Sequence, residues 1–216
     1  MNKFKNAQEA FEFYYDEILN NGIDFDGTKA LFNIGFEILN PMDNKINTPW
    51  RKWKNSYAIR EWEWYLSGDK SALEISKFAS IWKNVMDENG EVQSNYGWQW
   101  NRNNQLNKII EKLKFKPNTR HAVLTIYDGK EIENYKYDTP CTLNIGFQII
   151  NNKLNMTVTM RSNDLIYGFC NDQYCFSKLQ EMVANELNLE VGTYFHFVFN
   201  LHIYHRHFKL KEKYGV

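Results

Sequence analysis

The hydrophobic pattern of this chain changes period near Pro117, and that change restricts the folds open to it. Upstream, apolar residues recur at helical spacing, which predicts helices over 6–20, 56–67 and 106–115 and further helical turns over 72–86. Downstream, the apolar runs are rich in β-branched and aromatic residues, as in strands. Both element types are therefore predicted, with the strands concentrated in the second half.

The predicted strands cover 28–39, 122–127, 142–150, 153–161 and 192–204. Asn151-Asn152, between two of them, predicts a tight hairpin turn, and helical spacing returns over 173–188. No βαβ rhythm repeats along the chain, and no linker or internal repeat divides it. We therefore expect a single domain over residues 1–216, with an α+β fold in which helices flank a large mixed sheet.

Composition excludes several classes of protein. Lys+Arg and Asp+Glu are equal at 26 each, which argues against a general nucleic-acid or anionic-membrane binder. The three cysteines form no CxxC pair, so neither a disulfide framework nor a metal site is predicted. The N-terminus lacks an apolar signal segment, and no apolar run is long enough to span a membrane. We expect a cytoplasmic protein with no membrane or nucleic-acid partner.

Cys141 is the candidate nucleophile, although a lone cysteine is usually just a small buried hydrophobe. It follows Pro140 at the start of a predicted strand, and Arg161 to Asp164 follow the next predicted strand. A nearby arginine lowers the pKa of a thiol and can hold a phosphate. Polar residues at the ends of apolar strands are unfavourable unless they are used. These neighbours favour a reactive Cys141.

Short motifs in a fixed order carry a resemblance to a known family. They are Arg60-Glu61 through Tyr65, Trp82, Ser94 to Trp98, Arg120, Pro140-Cys141, Arg161 to Asp164, Gly168, Asn171-Asp172, Leu201 to Tyr204, and Arg206 to Phe208. With these motifs the chain resembles the thymidylate synthase family, and within it the phage deoxycytidylate hydroxymethylases. The resemblance spans about residues 28 to 208, and it implies that family's fold.

The resemblance also implies a reaction and its residues. Cys141 would add to C6 of a pyrimidine nucleoside monophosphate, and C5 would take a methylene from the co-substrate 5,10-methylenetetrahydrofolate. A thymidylate synthase then reduces that methylene, whereas a hydroxymethylase adds water. The implied roles are proton and water handling for Glu61 and Tyr96, phosphate binding for Arg161 and Ser162, sugar binding for His202 and Tyr204, and folate contact for Trp82 and Asp164.

Asp172 stands where uracil-directed members of the family carry asparagine. A carboxylate accepts from the amino group of cytosine and stabilises a proton on N3, whereas it meets O4 of uracil acceptor to acceptor. The residue types therefore favour cytosine. Two structural alternatives stay open at this point: Asp172 as the N-cap of the helix over 173–188, and Glu61 as part of a solvated helix face.

The resemblance is incomplete at the phosphate site. Arg120 matches one of two arginines that the partner subunit donates in this family, but His121 replaces the second. Phe25 stands where a basic residue is expected, and Lys29 is close enough in sequence to substitute for it. The resemblance implies a symmetric homodimer joined through its sheets, with 194–199 as the candidate contact strand. Only eight residues follow Phe208, so we expect a less sealed site, which suits a reaction that consumes water.

The leading interpretation is a deoxycytidylate (dCMP) 5-hydroxymethyltransferase. The first alternative is an enzyme that acts on the ribonucleotide CMP to make 5-hydroxymethyl-CMP for a secondary metabolite. A thymidylate synthase is disfavoured by Asp172 and the short tail. A family member that binds nucleotide or RNA without catalysis is disfavoured by Cys141, Glu61 and Tyr96.

Overall fold

A computed structural model describes residues 1–215 as a mixed sheet covered on one face by helices. The strands are β1 (Asn2–Phe4), β2 (Ile23–Phe25), β3 (Thr28–Ile38), β4 (Val123–Thr125), β5 (Thr142–Ile150), β6 (Lys153–Met160), β7 (Asn163–Asp164) and β8 (Glu190–Tyr204). The helices are α1 (Ala7–Asn21), α2 (Asn55–Ser67), α3 (Ile81–Val85), α4 (Tyr96–Asn101), α5 (Gln105–Phe115) and α6 (Cys170–Glu186).

The sheet order is β1-β3-β8-β6-β5-β4, with β2 paired to β3 and β7 paired to β8. The β6–β8 and β1–β3 pairs are parallel, while β3–β8, β5–β6 and β4–β5 are antiparallel. This arrangement confirms the predicted α+β class with a large mixed sheet. The predicted hairpin turn is also confirmed, since Asn151 and Asn152 both have positive φ, at 51° and 59°.

Burial alternates along the central strands, which separates a core face from an outer face. On β8, Tyr194, His196 and Val198 are buried, whereas Phe195 and Phe197 between them are half-buried and Phe199 is exposed. α1 and α6 pack on the core face, and α2 packs on α6. The core therefore lies between the sheet and these helices, and the aromatic outer face of β8 has no covering element within residues 1–215.

Several predicted elements differ in extent. The segment 72–86 holds only a 3₁₀ turn, Ile75–Lys77, and the five-residue α3, because its polar and aromatic residues leave no continuous apolar stripe. Helix α6 begins at Cys170 instead of 173, since a π-helical turn, Leu165–Phe169, leads directly into it. The short α4 was not predicted as a helix, because six residues are too few to show a helical period.

A register shift between Thr142 and Asn144 on β5 marks a β-bulge immediately after Cys141. The bulge lets Thr142, Ile145 and Phe147 all face the core, although their spacing breaks strict alternation. Among the helices of residues 1–215, none has both the length and the apolar character needed to cross a membrane.

Candidate active site

A cavity of about 1140 Å³ opens where β5 begins and where β6 and β8 end. Ten of the residues predicted from the sequence line it together: Glu61, Trp82, Tyr96, Cys141, Arg161, Ser162, Asp164, Asp172, His202 and Tyr204. They come from α2, α3, α4, α6, β7, β8 and the segments that flank β5 and β6. The fold thus gathers residues from six elements and their connecting segments into one cavity.

Strand pairing places Cys141 beside Arg161. Thr142 pairs with Met160, and the Arg161 amide donates to the Cys141 carbonyl at 2.8 Å. The Arg161 side chain donates to the carbonyls of Thr139 (2.8 Å) and Pro140 (3.1 Å), and its Nη2 lies 3.7 Å from the Cys141 Sγ. The guanidinium is therefore held against the thiol by the backbone that precedes it.

The thiol is nevertheless predominantly neutral at pH 7. Burial raises the pKa of Cys141 to about 11; Arg161 lowers it, but less than burial raises it. The carboxyls of Asp172, Asp138 and Asp164 contribute to this raised pKa. The expected effect of Arg161 has the predicted sign, but burial outweighs it. Cys141 must therefore lose a proton during attack instead of standing ready as a thiolate.

Glu61 lies on α2, buried at the cavity wall, and not on a solvated helix face. Its Oε1 accepts a hydrogen bond from the Tyr57 hydroxyl at 3.0 Å, and that hydroxyl accepts from Trp82 Nε1 at 2.9 Å. Its Oε2 has no hydrogen-bond partner within residues 1–215. Tyr57 was not predicted as a site residue, because its contact with Trp82 joins positions 25 apart that only folding brings together.

Two carboxyls share the cavity, the buried Glu61 and the half-buried Asp172, and the pKa of each is raised. Burial and the nearby charge of Asp172 together raise the pKa of Glu61 to about 8, although the hydrogen bond from Tyr57 lowers it. Burial also raises the pKa of Asp172 to about 7, while a hydrogen bond from Asn163 lowers it and the charge of Asp164 raises it. Both carboxyls can therefore exchange protons close to neutral pH.

Asp172 is not the N-cap of α6, which corrects that alternative. It lies in the first turn of α6, two residues after the helix begins, and its Oδ2 accepts from the Asn163 side chain at 2.7 Å. Asp164 supplies the cap of the preceding π-helical turn, since it accepts from the amides of Ile166 (2.8 Å) and Tyr167 (3.3 Å). Asp172 is thus free of a capping role and faces the cavity.

Gly168 leaves room for the Asn163–Asp172 contact. A Cβ built at Gly168 would lie 2.7 Å from Asn163 Nδ2 and 3.2 Å from Asp172 Oδ2. Any larger residue would push against that hydrogen bond. The glycine is therefore a spatial requirement of the site, because its own φ is not in the left-handed region.

Tyr96 is buried at the start of α4 and stacks on Phe176 of α6, with ring centroids 5.5 Å apart. Asn95 caps α4 by accepting from the Trp98 amide at 2.7 Å. Gly97, which follows Tyr96, packs against α2 so closely that a Cβ at this position would lie 1.5 Å from the Tyr65 carbonyl oxygen. Close packing of α4 on α2 therefore fixes Tyr96 in the wall of the cavity that Glu61 also lines.

His202 is buried beside Asp164, because β7 pairs with β8 in the register Asp164↔His202. Burial lowers the pKa of His202, so the ring is neutral at pH 7. Nδ1 lies 2.9 Å from the Asn200 Oδ1, which can only accept; Nδ1 therefore carries the proton and Nε2 is an acceptor. Such a ring can accept a hydrogen bond from a hydroxyl group.

Two unpredicted arginines line the same cavity. Arg51 donates from Nε to the Ile166 carbonyl at 2.7 Å and lies over the Tyr167 ring at 5.4 Å. Arg206 lies over the Tyr204 ring at 4.4 Å. Arg206 belongs to the quoted motif Arg206 to Phe208 but was given no role there, whereas Arg51 gave no signal, since its partner is 115 residues away in sequence.

The structure does not bring Lys29, Arg120 or His121 to this cavity. Lys29 donates from Nζ to the Leu19 carbonyl at 2.6 Å, so its amine is already engaged at the end of α1. Arg120 and His121 are exposed between α5 and β4. An exposed position is compatible with insertion into a second copy, which stays a prediction.

The cavity suits two ligands better than one. Pockets for one drug-sized ligand usually span about 300–1,000 Å³, and this cavity exceeds that range. Trp82 and Ile81 give the cavity wall an apolar part. The Asp164 oxygen that does not cap the π-helical turn is available to the polar edge of a ligand ring. Within residues 1–215, no group of three or more His, Cys, Asp or Glu side chains is arranged to bind a metal.

The chain is similar to several known proteins. The family model described as thymidylate synthase matches residues 14–214. Deoxycytidylate 5-hydroxymethyltransferase of Enterobacteria phage T4 is 31% identical over 175 residues, covering 73% of this chain and 70% of its own length. Thymidylate synthase of Vesicomyosocius okutanii subsp. Calyptogena okutanii (strain HA) is 30% identical over 164 residues, covering 72% and 62%.

A further relative is named for a different base. Deoxyuridylate hydroxymethyltransferase of Bacillus phage SP01 is 30% identical over 192 residues, covering 82% of this chain and half of its own length. Among solved structures, thermostable thymidylate synthase A from Bacillus subtilis matches with a TM-score of 0.76 at 21% identity, covering 95% of this chain and 82% of that one. That structure shows the fold.

Proposed function

Because this chain belongs to the thymidylate synthase family of one-carbon transferases, we propose that it hydroxymethylates C5 of deoxycytidylate. The family uses methylenetetrahydrofolate as co-substrate. The proposed products are 5-hydroxymethyl-dCMP and tetrahydrofolate. Relatives named for deoxycytidylate, for deoxyuridylate and for thymidylate synthesis match about equally well, so the base must be argued from the site itself.

Asp172 is the observation that carries the choice of cytosine. It is a carboxyl in the cavity, and Asn163 holds one of its oxygens as an acceptor at 2.7 Å. The amino group of cytosine can donate to this carboxyl, and N3 of cytosine can share the proton that the carboxyl holds. Uracil would instead present O4, an acceptor, to an ionised Asp172. A mispaired buried polar group is unfavourable by about 1–3 kcal/mol, which corresponds to roughly ten- to hundredfold in specificity.

The residues divide the chemistry as follows. Cys141 forms a bond from Sγ to C6, and its proton leaves to a neighbouring base as the C5–C6 double bond opens. The co-substrate would supply the methylene carbon: C5 bonds to this carbon, and after the C5 proton has left, the bond from this carbon to the folate nitrogen breaks and tetrahydrofolate departs. Tyr96, close to the nucleophile, assists removal of the C5 proton. Glu61 takes a proton from water as the water oxygen bonds to the exocyclic methylene carbon, and expulsion of Sγ then restores the C5–C6 double bond.

Binding is assigned to the remaining wall. Arg161 and Ser162 would hold the phosphate, and the Nε2 acceptor of His202, with Tyr204, would bind the sugar hydroxyl. Trp82 and Asp164 would contact the folate ring. We further propose a homodimer joined through the outer face of β8, in which Arg120 and His121 reach the partner's phosphate site. Lys29 would contribute only if it left the Leu19 carbonyl.

One assay separates the alternatives. The protein is incubated with methylenetetrahydrofolate and dCMP, CMP or dUMP, each tritiated at C5. We expect tritium release and a product heavier by one hydroxymethyl group with dCMP. Preference for CMP would redirect the proposal to a ribonucleotide. Turnover of dUMP alone, with dihydrofolate formed, would refute it, and no turnover of any nucleotide would indicate a member that binds without catalysis. Cys141→Ser is the matched inactive control.

A further inference from the structure

Tyr57 sits between two residues of the proposed machinery. It lies four residues before Glu61 on α2, so the two side chains share one face of the helix. Its hydroxyl lies 3.0 Å from Glu61 Oε1 and 2.9 Å from Trp82 Nε1. These contacts form a hydrogen-bond chain from Trp82, the proposed folate contact, through Tyr57 to Glu61, the proposed proton acceptor.

The chemistry of the three groups fixes the direction of this chain. An indole N–H can only donate, so the Tyr57 oxygen must accept from Trp82. The single hydroxyl proton of Tyr57 then points to Glu61 Oε1. If Glu61 were protonated on Oε1 and donated to Tyr57, the Tyr57 hydroxyl proton would have no acceptor among these three groups. Oε1 is therefore kept as an acceptor.

The other oxygen of Glu61 has the opposite surroundings. Oε2 is buried and has no hydrogen-bond partner within residues 1–215, which is an unfavourable state for a polar atom unless a ligand supplies the partner. Burial also raises the pKa of Tyr57 well above its ordinary value, so the hydroxyl stays protonated and remains a donor at working pH. The two oxygens of the Glu61 carboxyl thus differ: Oε1 is held in a hydrogen bond with Tyr57, and Oε2 is left for a ligand.

We propose that Tyr57 is a positioning residue that commits Glu61 Oε1 to a fixed hydrogen bond and leaves Oε2 as the one oxygen that exchanges protons with water and the nucleotide. The inference rests on the proposed function and refines it to a single atom. The water that adds to the exocyclic methylene carbon would give its proton to Oε2. Trp82 would keep Tyr57 oriented while its ring contacts the folate.

The first test does not need turnover. Glu61 is titrated by infrared or NMR spectroscopy of protein carrying ¹³C-labelled glutamate, with Glu61→Gln as the reference that identifies its signal. Because the bond from Tyr57 lowers the pKa of Glu61, Tyr57→Phe should move the titration to higher pH. Trp82→Phe should move it less in the same direction, since the hydroxyl remains. An unchanged titration in a folded Tyr57→Phe protein would overturn the proposal.

The second test asks whether Tyr57 acts through Glu61. We expect Tyr57→Phe to slow product formation by about 10–100-fold, less than the roughly 10²–10⁴-fold that a general acid or base contributes, because Glu61 itself remains in place. If it acts through Glu61, Tyr57→Phe should slow the Glu61→Gln protein little further. Multiplying effects would show an independent structural role and contradict the proposal. Tyr135→Phe, which removes a hydroxyl outside the cavity, should change neither readout.

The two tests separate this proposal from the proposed function. The rate cycle can be run with whichever nucleotide turns over, so a different base would not decide it. If no nucleotide turns over, the proposed function fails, while the Glu61 titration still reports on Tyr57.

Discussion

The side-chain amide of Asn163 donates to Oδ2 of Asp172 at 2.7 Å, across the π-helical turn that separates β7 from α6. The Asn163 Oδ1 is buried and has no partner within residues 1–215. The Asp172 carboxyl lines the cavity, where it can accept from an amino group. A base that offers an amino group would satisfy this carboxyl, which is the physical basis of the proposed preference for cytosine.

Exchanging the carboxyl for an amide should exchange the preferred base. Asp172→Asn can donate to O4 of uracil and accept from N3–H, so the ratio of kcat/KM for dCMP over dUMP should fall by about 10–100-fold. Steady-state kinetics with both nucleotides measure this ratio. Asp24→Asn, at an exposed position, is the control. A ratio that stays the same in Asp172→Asn would remove Asp172 from the specificity site.

Base discrimination should depend on pH. Burial raises the pKa of Asp172 to about 7, so the group is largely neutral below that pH and ionised above it. A neutral carboxyl can donate to O4 and accept from N3–H, and so it tolerates uracil. The kcat/KM ratio of dCMP over dUMP should therefore rise between pH 6 and pH 8. A ratio that is flat over this range would mean that Asp172 does not titrate there.

Gly168→Ala should damage specificity more than folding. The added methyl group would lie 2.7 Å from Asn163 Nδ2, so the amide must turn away and release Asp172. We expect a folded protein whose dCMP preference falls by about tenfold, because one buried hydrogen bond is disrupted. Gly129→Ala is the control, since a Cβ there has no heavy atom within 4 Å. Equal kinetics for both variants would contradict the prediction.

Glu61→Gln should stabilise the fold at high pH. Burial raises the pKa of Glu61 from 4.5 to about 8, so folding favours its protonated form. The contribution of Glu61 to stability is complete below pH 4.5 and is lost as the pH rises through 8. The glutamine stays neutral, and the variant should be more stable by on the order of 1–3 kcal/mol at pH 9.

Denaturant titration at pH 5 and pH 9 measures this difference. The gain should be close to zero at pH 5, where wild-type Glu61 is mostly neutral. Glu63→Gln, exposed on the same helix, should show no such pH-dependent gain. A gain that is equal at both pH values would refute the ionisation argument.

The proposed dimer makes a complementation prediction. Arg120→Ala and Cys141→Ser should each lose most activity as homodimers, since each damages both sites. If Arg120 serves the partner's site, a mixed dimer has one site with both defects and one intact site. Equal mixing after reversible unfolding should therefore restore about a quarter of wild-type activity. Activity that is not restored in demonstrably mixed dimers would place Arg120 within its own subunit or outside the site.

Sequence reasoning located the site best where regular strands fix the spacing. From Cys141 to Tyr204 the residues follow a hairpin, one long helix and a final strand, so their positions relative to one another follow from strand pairing. It missed Tyr57 and Arg51, whose partners Trp82 and Ile166 lie 25 and 115 residues away. It also named Asn163 without a role, because its contact with Asp172 depends on the π-helical turn and on Gly168.

The raised pKa of Cys141 could not be predicted from the sequence either. The expectation that Arg161 favours the thiolate came from charge alone, whereas the depth of the thiol in the folded protein decides its ionisation. Burial is a property of the whole packing arrangement, and a residue's neighbours in sequence do not give it.

The β-bulge after Cys141 constrains anyone who would transplant this chemistry. Side chains on a strand alternate between faces, so removing the extra residue at Thr142/Asn144 would turn either Cys141 or the core residues of β5 to the opposite side of the sheet. A graft of Pro140-Cys141 onto a regular strand would thus aim the thiol wrongly, even with every neighbour copied. Any segment transplanted to carry this nucleophile must therefore include the β-bulge as well as Cys141.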